Sequence, residues 1–234
     1  RPVRTVEGKL QPEALEAALA SAHGVHGALP VALTITQPTE LGTVYSLEEL
    51  RVLIRIAKAH GLGVHVDGAR LGCAVAALGI DVATLLEGVD VLSFGGTKQG
   101  MLLGEAVVFL NPAFGADFPY WQKCTMQLAS KMRFVSAQFE ALLEDDLWVA
   151  NARHANAMAA RLHAAVRDRV EVQYPVQANS VFVRLPKAAI KPLQAETFFW
   201  DWDEAAGIVR WMCAWDTQPE DIDRFVEQLQ ARLA

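Results

Sequence analysis

Apolar and polar positions follow two alternating periods along the first half of the chain, one typical of buried strands and one of amphipathic helices. Apolar stretches rich in β-branched residues predict strands at residues 29–37, 63–67, 90–96 and 104–110. Helical periodicity lies between or before them, at residues 11–23, 46–61 and 74–88. Strand–helix–strand repeats of this kind predict an α/β fold with a mostly parallel sheet and crossover helices.

Local signals fix where several of these helices begin and end. Pro12 stands in a favourable first-turn position. Ser46 with Glu49 three residues later predicts a capping box, and Gly61 follows the last turn of the same helix. Gly79 predicts a break in the helix at 74–88.

The pattern changes after residue 111 and indicates a second architecture. Residues 118–145 and 147–168 each predict a long helix, and residues 169–234 predict three strands followed by a terminal helix with Thr217 as its N-cap. We therefore expect a large domain over residues 1–134. Residues 135–234 are expected to form linking helices and a smaller α+β C-terminal domain.

Composition excludes several classes of protein. A net charge of −6 argues against nucleic-acid binding, which needs a basic surface. The three cysteines are far apart and without CxxC spacing, which favours reduced, buried thiols over disulfides or a metal site. No apolar run reaches the roughly 18 residues of a membrane span, and the start does not resemble a signal peptide. We expect a soluble, cytoplasmic protein without a bound metal.

Three polar residues, Gln37, Asp67 and Lys98, lie at or just past the ends of predicted strands, where ligands bind in parallel α/β sheets. Lys98 follows a Gly-Gly-Thr sequence, without the spacing of a phosphate-binding loop. It is either a surface lysine in a turn or an amine able to form a Schiff base. Asp67 is either a helix N-cap or the acidic partner of a pyridinium nitrogen. The two stand one strand–helix–strand unit apart, which favours pyridoxal phosphate.

Four segments carry a resemblance to a known family: "TQPTELGTVYS", "HVDGARL", "DVLSFGGTKQGMLLGEAVVF" and "GIVRWMCAWDT". They resemble the low-specificity L-threonine aldolases, β-eliminating lyases of the aspartate-aminotransferase-like fold (fold type I), which use pyridoxal 5'-phosphate. The resemblance implies that Lys98 carries the cofactor and that Asp67 pairs with its ring nitrogen. It also implies that Arg70 approaches the phenolic oxygen and that Thr97, within the lysine motif, contributes to cofactor binding.

The resemblance implies an activity as well: cleavage of L-threonine, allo-threonine or β-phenylserine to glycine and an aldehyde. Arg210 would bind the substrate carboxylate, although a strand-edge salt bridge is the alternative for it. Some relatives carry a histidine where this chain has Gln37, which can bond the substrate hydroxyl but cannot act as a base. Two alternatives stay open, another amino-acid lyase or racemase that uses the same cofactor, and a non-catalytic fragment or subunit.

Assembly follows from the resemblance too. The family builds its active sites at subunit interfaces, usually in tetramers arranged as dimers of dimers. Lys123 aligns with a lysine that reaches a neighbouring cofactor phosphate, while an exposed helix face is the alternative for it. Relatives also hold a phosphate cradle and a ring-stacking histidine in a segment that precedes the matched region. Without that segment we expect neither a stable fold nor tight cofactor binding.

Overall fold

A computed structural model describes residues 2–21 and 27–233. Its helices, in chain order, are α1 (Pro12–Ala20), α2 (Leu47–Ala59), α3 (Leu71–Leu78), α4 (Val82–Leu85), α5 (Phe118–Cys124), α6 (Arg133–Leu143), α7 (Leu147–Val166), α8 (Lys187–Glu196) and α9 (Pro219–Leu233). Its strands are β1 (Thr5–Val6), β2 (Lys9–Leu10), β3 (Ala32–Thr36), β4 (Gly63–Gly68), β5 (Val91–Gly95), β6 (Glu105–Phe109), β7 (Glu171–Val172), β8 (Ser180–Arg184), β9 (Trp200–Asp203) and β10 (Ile208–Met212).

The larger sheet has the order β3-β4-β5-β6. Strands β3, β4 and β5 are parallel, and β6 pairs with β5 in the antiparallel direction. Alternate residues of β3, β4 and β5, such as Ile35, Val66 and Leu92, are buried and form part of the first hydrophobic core. The predicted α/β fold with a mostly parallel sheet is confirmed.

Helix α2 forms where its sequence predicts it. Ser46 Oγ accepts a hydrogen bond from Glu49 N at 3.2 Å, and Glu49 Oε2 accepts one from Ser46 N at 2.6 Å, which completes the capping box. Leu50, Leu53 and Ala57 lie on one helical face and are buried. Gly79 ends α3 in the left-handed region at φ 64°, so the predicted break is also confirmed.

The long helix expected over residues 118–145 is instead two helices, α5 and α6, separated by eight residues that include Met126 at φ 58°. Every residue from 123 to 131 is exposed. Helices draw most of their stability from burying an apolar face, and this stretch buries none within the described chain. Helix propensity alone therefore predicted one continuous helix, which the packing does not support.

The smaller sheet has the order β7-β8-β10-β9 and is antiparallel throughout. The sequence predicted three strands here and missed a short fourth strand and helix α8, whose apolar pattern Pro192 interrupts. The predicted N-cap was wrong as well. Thr217 Oγ1 accepts from Ala214 N at 2.8 Å, and the start of α9 is fixed by Asp221, whose Oδ2 accepts from Gln218 N at 3.0 Å.

Two clusters of buried side chains divide within α7. Trp148 and Ala152, in its first half, pack into the core beneath the larger sheet. Ala159, Leu162 and Val166, in its second half, pack into the core beneath the smaller sheet. Helix α6 also packs against the first core through Leu142. A domain boundary at residue 134 stays a prediction. The two hydrophobic cores themselves meet within α7.

Two sequence expectations concern the chain as a whole. Within residues 2–21 and 27–233, no helix combines the length and the apolar character needed to cross a membrane. Cys73 and Cys213 are buried free thiols, as expected, whereas Cys124 is exposed at the end of α5.

Candidate active site

A row of polar residues crosses the carboxyl edge of the parallel strands. Thr36 of β3, Asp67 of β4 and Ser93 of β5 are partners in register. Asp67 is half-buried, and its Oδ1 accepts a hydrogen bond from Ala69 N at 3.0 Å. Helix α3 has no side-chain cap, so Asp67 is not the helix cap that was its alternative. Its Oδ2 has no partner within the described residues and is available to a ligand.

His65 lies on the same strand face as Asp67, two residues earlier. Its Nε2 and Ser93 Oγ are 2.9 Å apart, so a hydrogen bond ties β4 to β5. Partial burial lowers the pKa of His65, while the charge of Asp67 acts in the opposite direction. The neutral ring is therefore favoured in this part of the sheet.

Lys98 lies in the turn that follows β5 and is exposed. Backbone bonds hold this turn, with Gly96 N donating to Gly104 O at 2.9 Å and Gln99 N donating to Gly96 O at 2.9 Å. Thr97 Oγ1 accepts from Gly104 N at 3.1 Å, so the structure uses this hydroxyl to close the turn. The turn presents the Lys98 amine on a fixed backbone.

Gln99 anchors the turn and was not identified from the sequence. Its side chain is 3% exposed, and its Oε1 accepts from Gly72 N, at the start of α3, at 3.2 Å. Its backbone oxygen accepts from Asn151 Nδ2 at 2.8 Å. The signal that could have found it is a polar residue directly after the lysine, in a turn too tight to leave it solvated.

The glycine before this turn permits a close approach between two strand ends. A Cβ placed on Gly95 would lie 2.9 Å from Ala69 Cα. No side chain fits that space, so the end of β5 passes directly against the segment that follows Asp67. The structure thus places Asp67 and the Lys98 turn on adjacent strands at one edge of the sheet.

Two arginines from different sheets meet at this edge. Arg70 follows β4, and its guanidinium donates to Met212 Sδ at 3.6 Å, which brings it to β10 of the smaller sheet. Burial lowers the pKa of Arg70, and the nearby positive charge of Arg210 lowers it further, while Cys73, Glu40 and Asp67 oppose the shift. Arg70, Arg210 and Asp67 therefore lie close enough for their charges to influence one another.

Arg210 lies on β10, a central strand of the smaller sheet rather than an edge. Its guanidinium carbon lies 5.3 Å from the centroid of the Trp202 ring, and its nearest nitrogen lies 3.8 Å from Glu40 Oε1. The Nε atoms of Arg70 and Arg210 are buried and have no hydrogen-bond partner among the described residues. Two neighbouring guanidinium groups whose hydrogen-bonding capacity is not fully used are suited to anionic or electron-rich oxygen atoms.

Gln37 has a different use from the one predicted. It is 1% exposed, its Nε2 donates to Tyr45 O at 2.9 Å, and its Oε1 accepts from Tyr45 N at 3.0 Å. Its backbone N–H donates to Asp67 O at 2.9 Å. The side chain is enclosed in the loop between β3 and α2, so the expected bond to a substrate hydroxyl is not supported. The loop it fixes carries Glu40, which was not identified from the sequence.

Lys123 is the predicted site residue that the fold does not bring to this edge. It lies exposed on α5 and has no contact with the Asp67 row in the part of the chain that the structure describes. Its predicted role at a neighbouring subunit stays a prediction.

The side chains at this edge fit pyridoxal phosphate by their chemistry. An accessible primary amine suits the aldehyde, a half-buried carboxylate suits the pyridinium nitrogen, and the unpaired Nε of Arg70 suits a phenolate oxygen. Among the described residues, no group of three or more histidine, cysteine, aspartate or glutamate side chains could hold a metal ion.

The comparisons with known proteins agree with this geometry. A family model described as beta-eliminating lyase matches residues 1–188. The chain belongs to the beta-eliminating lyase family. Low-specificity L-threonine aldolases of a Pseudomonas species and of Pseudomonas aeruginosa are 40% and 42% identical to it. The alignments cover 99% and 96% of this chain, and 68% and 65% of those relatives.

Solved structures extend the match to the fold. A threonine aldolase of Leishmania major superposes with a TM-score of 0.90 at 30% identity, covering 97% of this chain and 68% of that one. A serine palmitoyltransferase of Sphingomonas wittichii superposes with a TM-score of 0.69 at 15% identity, which supports the fold alone. The resemblance and the fold type predicted from the sequence are confirmed. The family uses pyridoxal phosphate for lyase chemistry, so the predicted cofactor and enzyme class are confirmed at that level.

Proposed function

We propose that the protein is a pyridoxal-phosphate-dependent aldolase that cleaves β-hydroxy-α-amino acids of the threonine or β-phenylserine type to glycine and an aldehyde. The observation that carries this proposal is the pair of arginines beside the Asp67 row, Arg70 and Arg210, whose buried Nε atoms have no hydrogen-bond partner among the described residues. The phenolic oxygen of the cofactor and the carboxylate of an α-amino acid substrate would supply one acceptor for each arginine. The similarity to low-specificity L-threonine aldolases supports the choice of substrate.

Each residue has a distinct task in this proposal. Lys98 holds the cofactor covalently, because its turn presents an accessible amine on a fixed backbone. Asp67 holds a proton on the ring nitrogen, and Arg70 donates to the phenolic oxygen. Arg210 binds the substrate carboxylate, oriented by the face of Trp202. When bound, the cofactor would supply an electron sink for the electron pair of the substrate's Cα–Cβ bond.

His65 has a positioning role. Its bond to Ser93 fixes β4 against β5, and its lowered pKa keeps the ring neutral beside Asp67. A neutral His65 adds no positive charge that would compete with a protonated ring nitrogen for the Asp67 carboxylate.

The proposal includes assembly and location. We infer a cytoplasmic homo-oligomer, a dimer of dimers, in which Lys123 reaches the cofactor phosphate of a neighbouring subunit. Support comes from exposed aromatic and apolar side chains around Lys123, with Tyr120, Trp121 and Met126 all more than half exposed. An apolar patch of this kind on a folded protein is typical of an interface.

Product analysis tests the activity. The purified protein with pyridoxal phosphate is incubated with L-threonine and with β-phenylserine, and glycine, acetaldehyde and benzaldehyde are measured. We expect glycine in equal amount to the matching aldehyde. The variant Lys98→Ala should form neither product and should lose the visible absorbance of lysine-bound cofactor. Formation of a keto acid or of the opposite enantiomer without glycine would contradict the aldolase.

A matched control separates loss of chemistry from loss of folding. Lys187 is also exposed, and it begins α8 beside the smaller sheet, outside the site. Lys187→Ala should keep both the absorbance and the product yield, and all three proteins should give the same thermal unfolding temperature without cofactor.

A further inference from the structure

We propose that Glu40 is a displaceable counter-ion that occupies the carboxylate position at Arg210 in the free site and competes with the substrate for it. The inference rests on the proposed function, because it assumes that the ligand of Arg210 is a carboxylate. It assigns a role to a residue that neither motif nor strand end indicated.

The loop that carries Glu40 is held firmly on both sides of it. Gln37 is bonded to Tyr45 through both ends of its amide, and Thr39 N donates to Thr43 O at 2.9 Å. The hydroxyls of Thr39 and Thr43 are 2.7 Å apart. These bonds fix where the Glu40 backbone lies, so the carboxylate stays within reach of Arg210 without being locked onto it.

The ion pair itself is weak in geometry. Its closest atoms, Arg210 Nη1 and Glu40 Oε1, are 3.8 Å apart, beyond the distance of a good charge-assisted hydrogen bond. The Glu40 side chain is 69% exposed, whereas that of Arg210 is 15% exposed. Arg210 Nε has no hydrogen-bond partner among the described residues. Arg210 is thus a half-buried cation whose ion pair with Glu40 is long, and the described chain does not satisfy all of its hydrogen-bond donors.

Glu40 has space to leave. It lines a cavity of about 800 Å³ that runs along the exposed side of β3 and also contacts Thr36 and Trp202. The same carboxylate lies close enough to Arg70 to oppose the lowering of its pKa. Glu40 therefore partly neutralises two mutually repelling guanidinium groups, and it can turn into the cavity when a second carboxylate arrives.

Competition of this kind sets substrate affinity. A substrate carboxylate must replace the Glu40 interaction before it gains its own, so the intrinsic affinity of Arg210 is reduced by the strength of that pair. Because Glu40 is exposed, the reduction is modest, roughly two- to fivefold. The chemical steps do not use Glu40, so kcat should not change.

The test compares glycine binding by calorimetry in the cofactor-loaded wild type and Glu40→Gln. We expect glycine to bind about two- to fivefold more tightly to the variant, and KM for threonine to fall by the same factor with kcat unchanged. Glycine methyl ester, which has no carboxylate charge, should show no gain. Glu87→Gln, which removes an exposed carboxylate paired with Arg51, is the matched control and should change neither value.

Weaker or unchanged glycine binding in Glu40→Gln would overturn the proposal, as would an equal gain for the ester. Equal thermal unfolding of wild type and Glu40→Gln excludes a folding effect. The two proposals fail separately. If the wild type binds glycine but does not cleave threonine, the aldolase fails while the Glu40 comparison still holds. If it cleaves threonine and Glu40→Gln binds no more tightly, only the counter-ion role is lost.

Discussion

The two ends of the larger sheet use the same kinds of side chain in opposite ways. At the amino end, Asp90 is 3% exposed, and its carboxylate accepts from Val64 N at 2.7 Å and from Asn111 Nδ2 at 2.9 Å, besides an ion pair with Lys58. At the carboxyl end, the Asp67 carboxylate accepts one bond from the described chain, in which Arg70 Nε and Arg210 Nε have no hydrogen-bond partner. We call the amino end, whose polar groups bond to one another, the closed end. The carboxyl end, whose polar groups can still bind a ligand, is the open end.

The difference shows where polarity serves the fold and where it serves chemistry. Burial acts to raise the pKa of Asp90, but bonds from Lys58, Asn111 and Val64 N outweigh it and lower the pKa. The charge is therefore fully compensated within the protein. Burial lowers the pKa of Arg70, and the charge of Arg210 lowers it further. The described chain therefore does not fully compensate the charge of Arg70, and an anionic ligand can pair with it. Unpaired buried donors are costly, and a site that binds an anion explains their retention.

The largest effect should come from the open end. Asp67→Ala is expected to reduce kcat/KM for threonine about a thousandfold, which is about 4 kcal/mol of transition-state stabilisation, because the ring nitrogen loses its acidic partner. Stability without cofactor should change by less than about 1 kcal/mol, since only one bond to Ala69 N is lost. Steady-state kinetics and urea unfolding measure the two quantities. A large loss of stability in Asp67→Ala with near-normal activity would mean that Asp67 serves the fold rather than the chemistry.

The closed end should give the complementary result. Asp90→Ala leaves the buried Val64 N–H without its acceptor and removes the bond from Asn111. We expect a loss of about 2–4 kcal/mol in the free energy of unfolding, measured by urea denaturation. In the protein that remains folded, kcat should be within a factor of two of wild type. If kcat falls while the free energy of unfolding is unchanged, Asp90 contributes to activity rather than to stability.

Asp81 provides an intermediate case, away from both ends. Its Oδ1 accepts from Thr84 N at 2.8 Å at the start of α4. Asp81→Ala should lower the free energy of unfolding by about 1 kcal/mol, the usual effect of losing an N-cap, and leave activity unchanged. Asp81→Ser, which keeps a cap, should recover most of the loss. An Asp81→Ala protein as damaged as Asp90→Ala would mean that burial does not decide the size of these effects.

The smallest effect is the pH dependence that His65 introduces. Its folded pKa is lowered by burial, so the unfolded chain takes up a proton more readily than the folded protein. Its contribution to stability is present above the unfolded pKa of about 6.5 and is lost as pH falls through the lower folded value. Unfolding measured between pH 7.5 and about 5 should show stability falling toward low pH, with a slope that His65→Gln reduces. If the wild type and His65→Gln give equal slopes, His65 does not contribute to the pH dependence of stability.

Much of this was accessible to sequence reasoning, because local rules decide it. The capping box of Ser46 and Glu49 involves residues three apart, and strand ends locate Asp67 and Lys98 once the sheet is known to be parallel. Glu40 was not found because its partner, Arg210, lies far away in sequence and on another sheet. Gln37 was misjudged for a related reason. The sequence identifies it at a strand end but does not reveal that the following loop encloses its amide.

The errors in the second half have the same origin. Residues 118–145 have the composition of one helix, yet only α6 finds a core to pack against, and the exposed stretch from 123 to 131 interrupts it. Helix α8 was missed because Pro192 breaks its pattern, although Ile190 and Leu193 are buried. In both cases tertiary contacts outweigh local preference.

Helix α7 spans both hydrophobic cores, and this has a consequence for how the molecule opens. A helix of 20 residues is about 30 Å long and stays intact only while its neighbours on both sides remain packed. We therefore expect the two sheets to unfold as one cooperative unit rather than as separate domains. Amide protons near Ala155, between the two cores, should exchange with solvent only when the whole protein unfolds, at a rate that matches the slowest amides of β4 and β8.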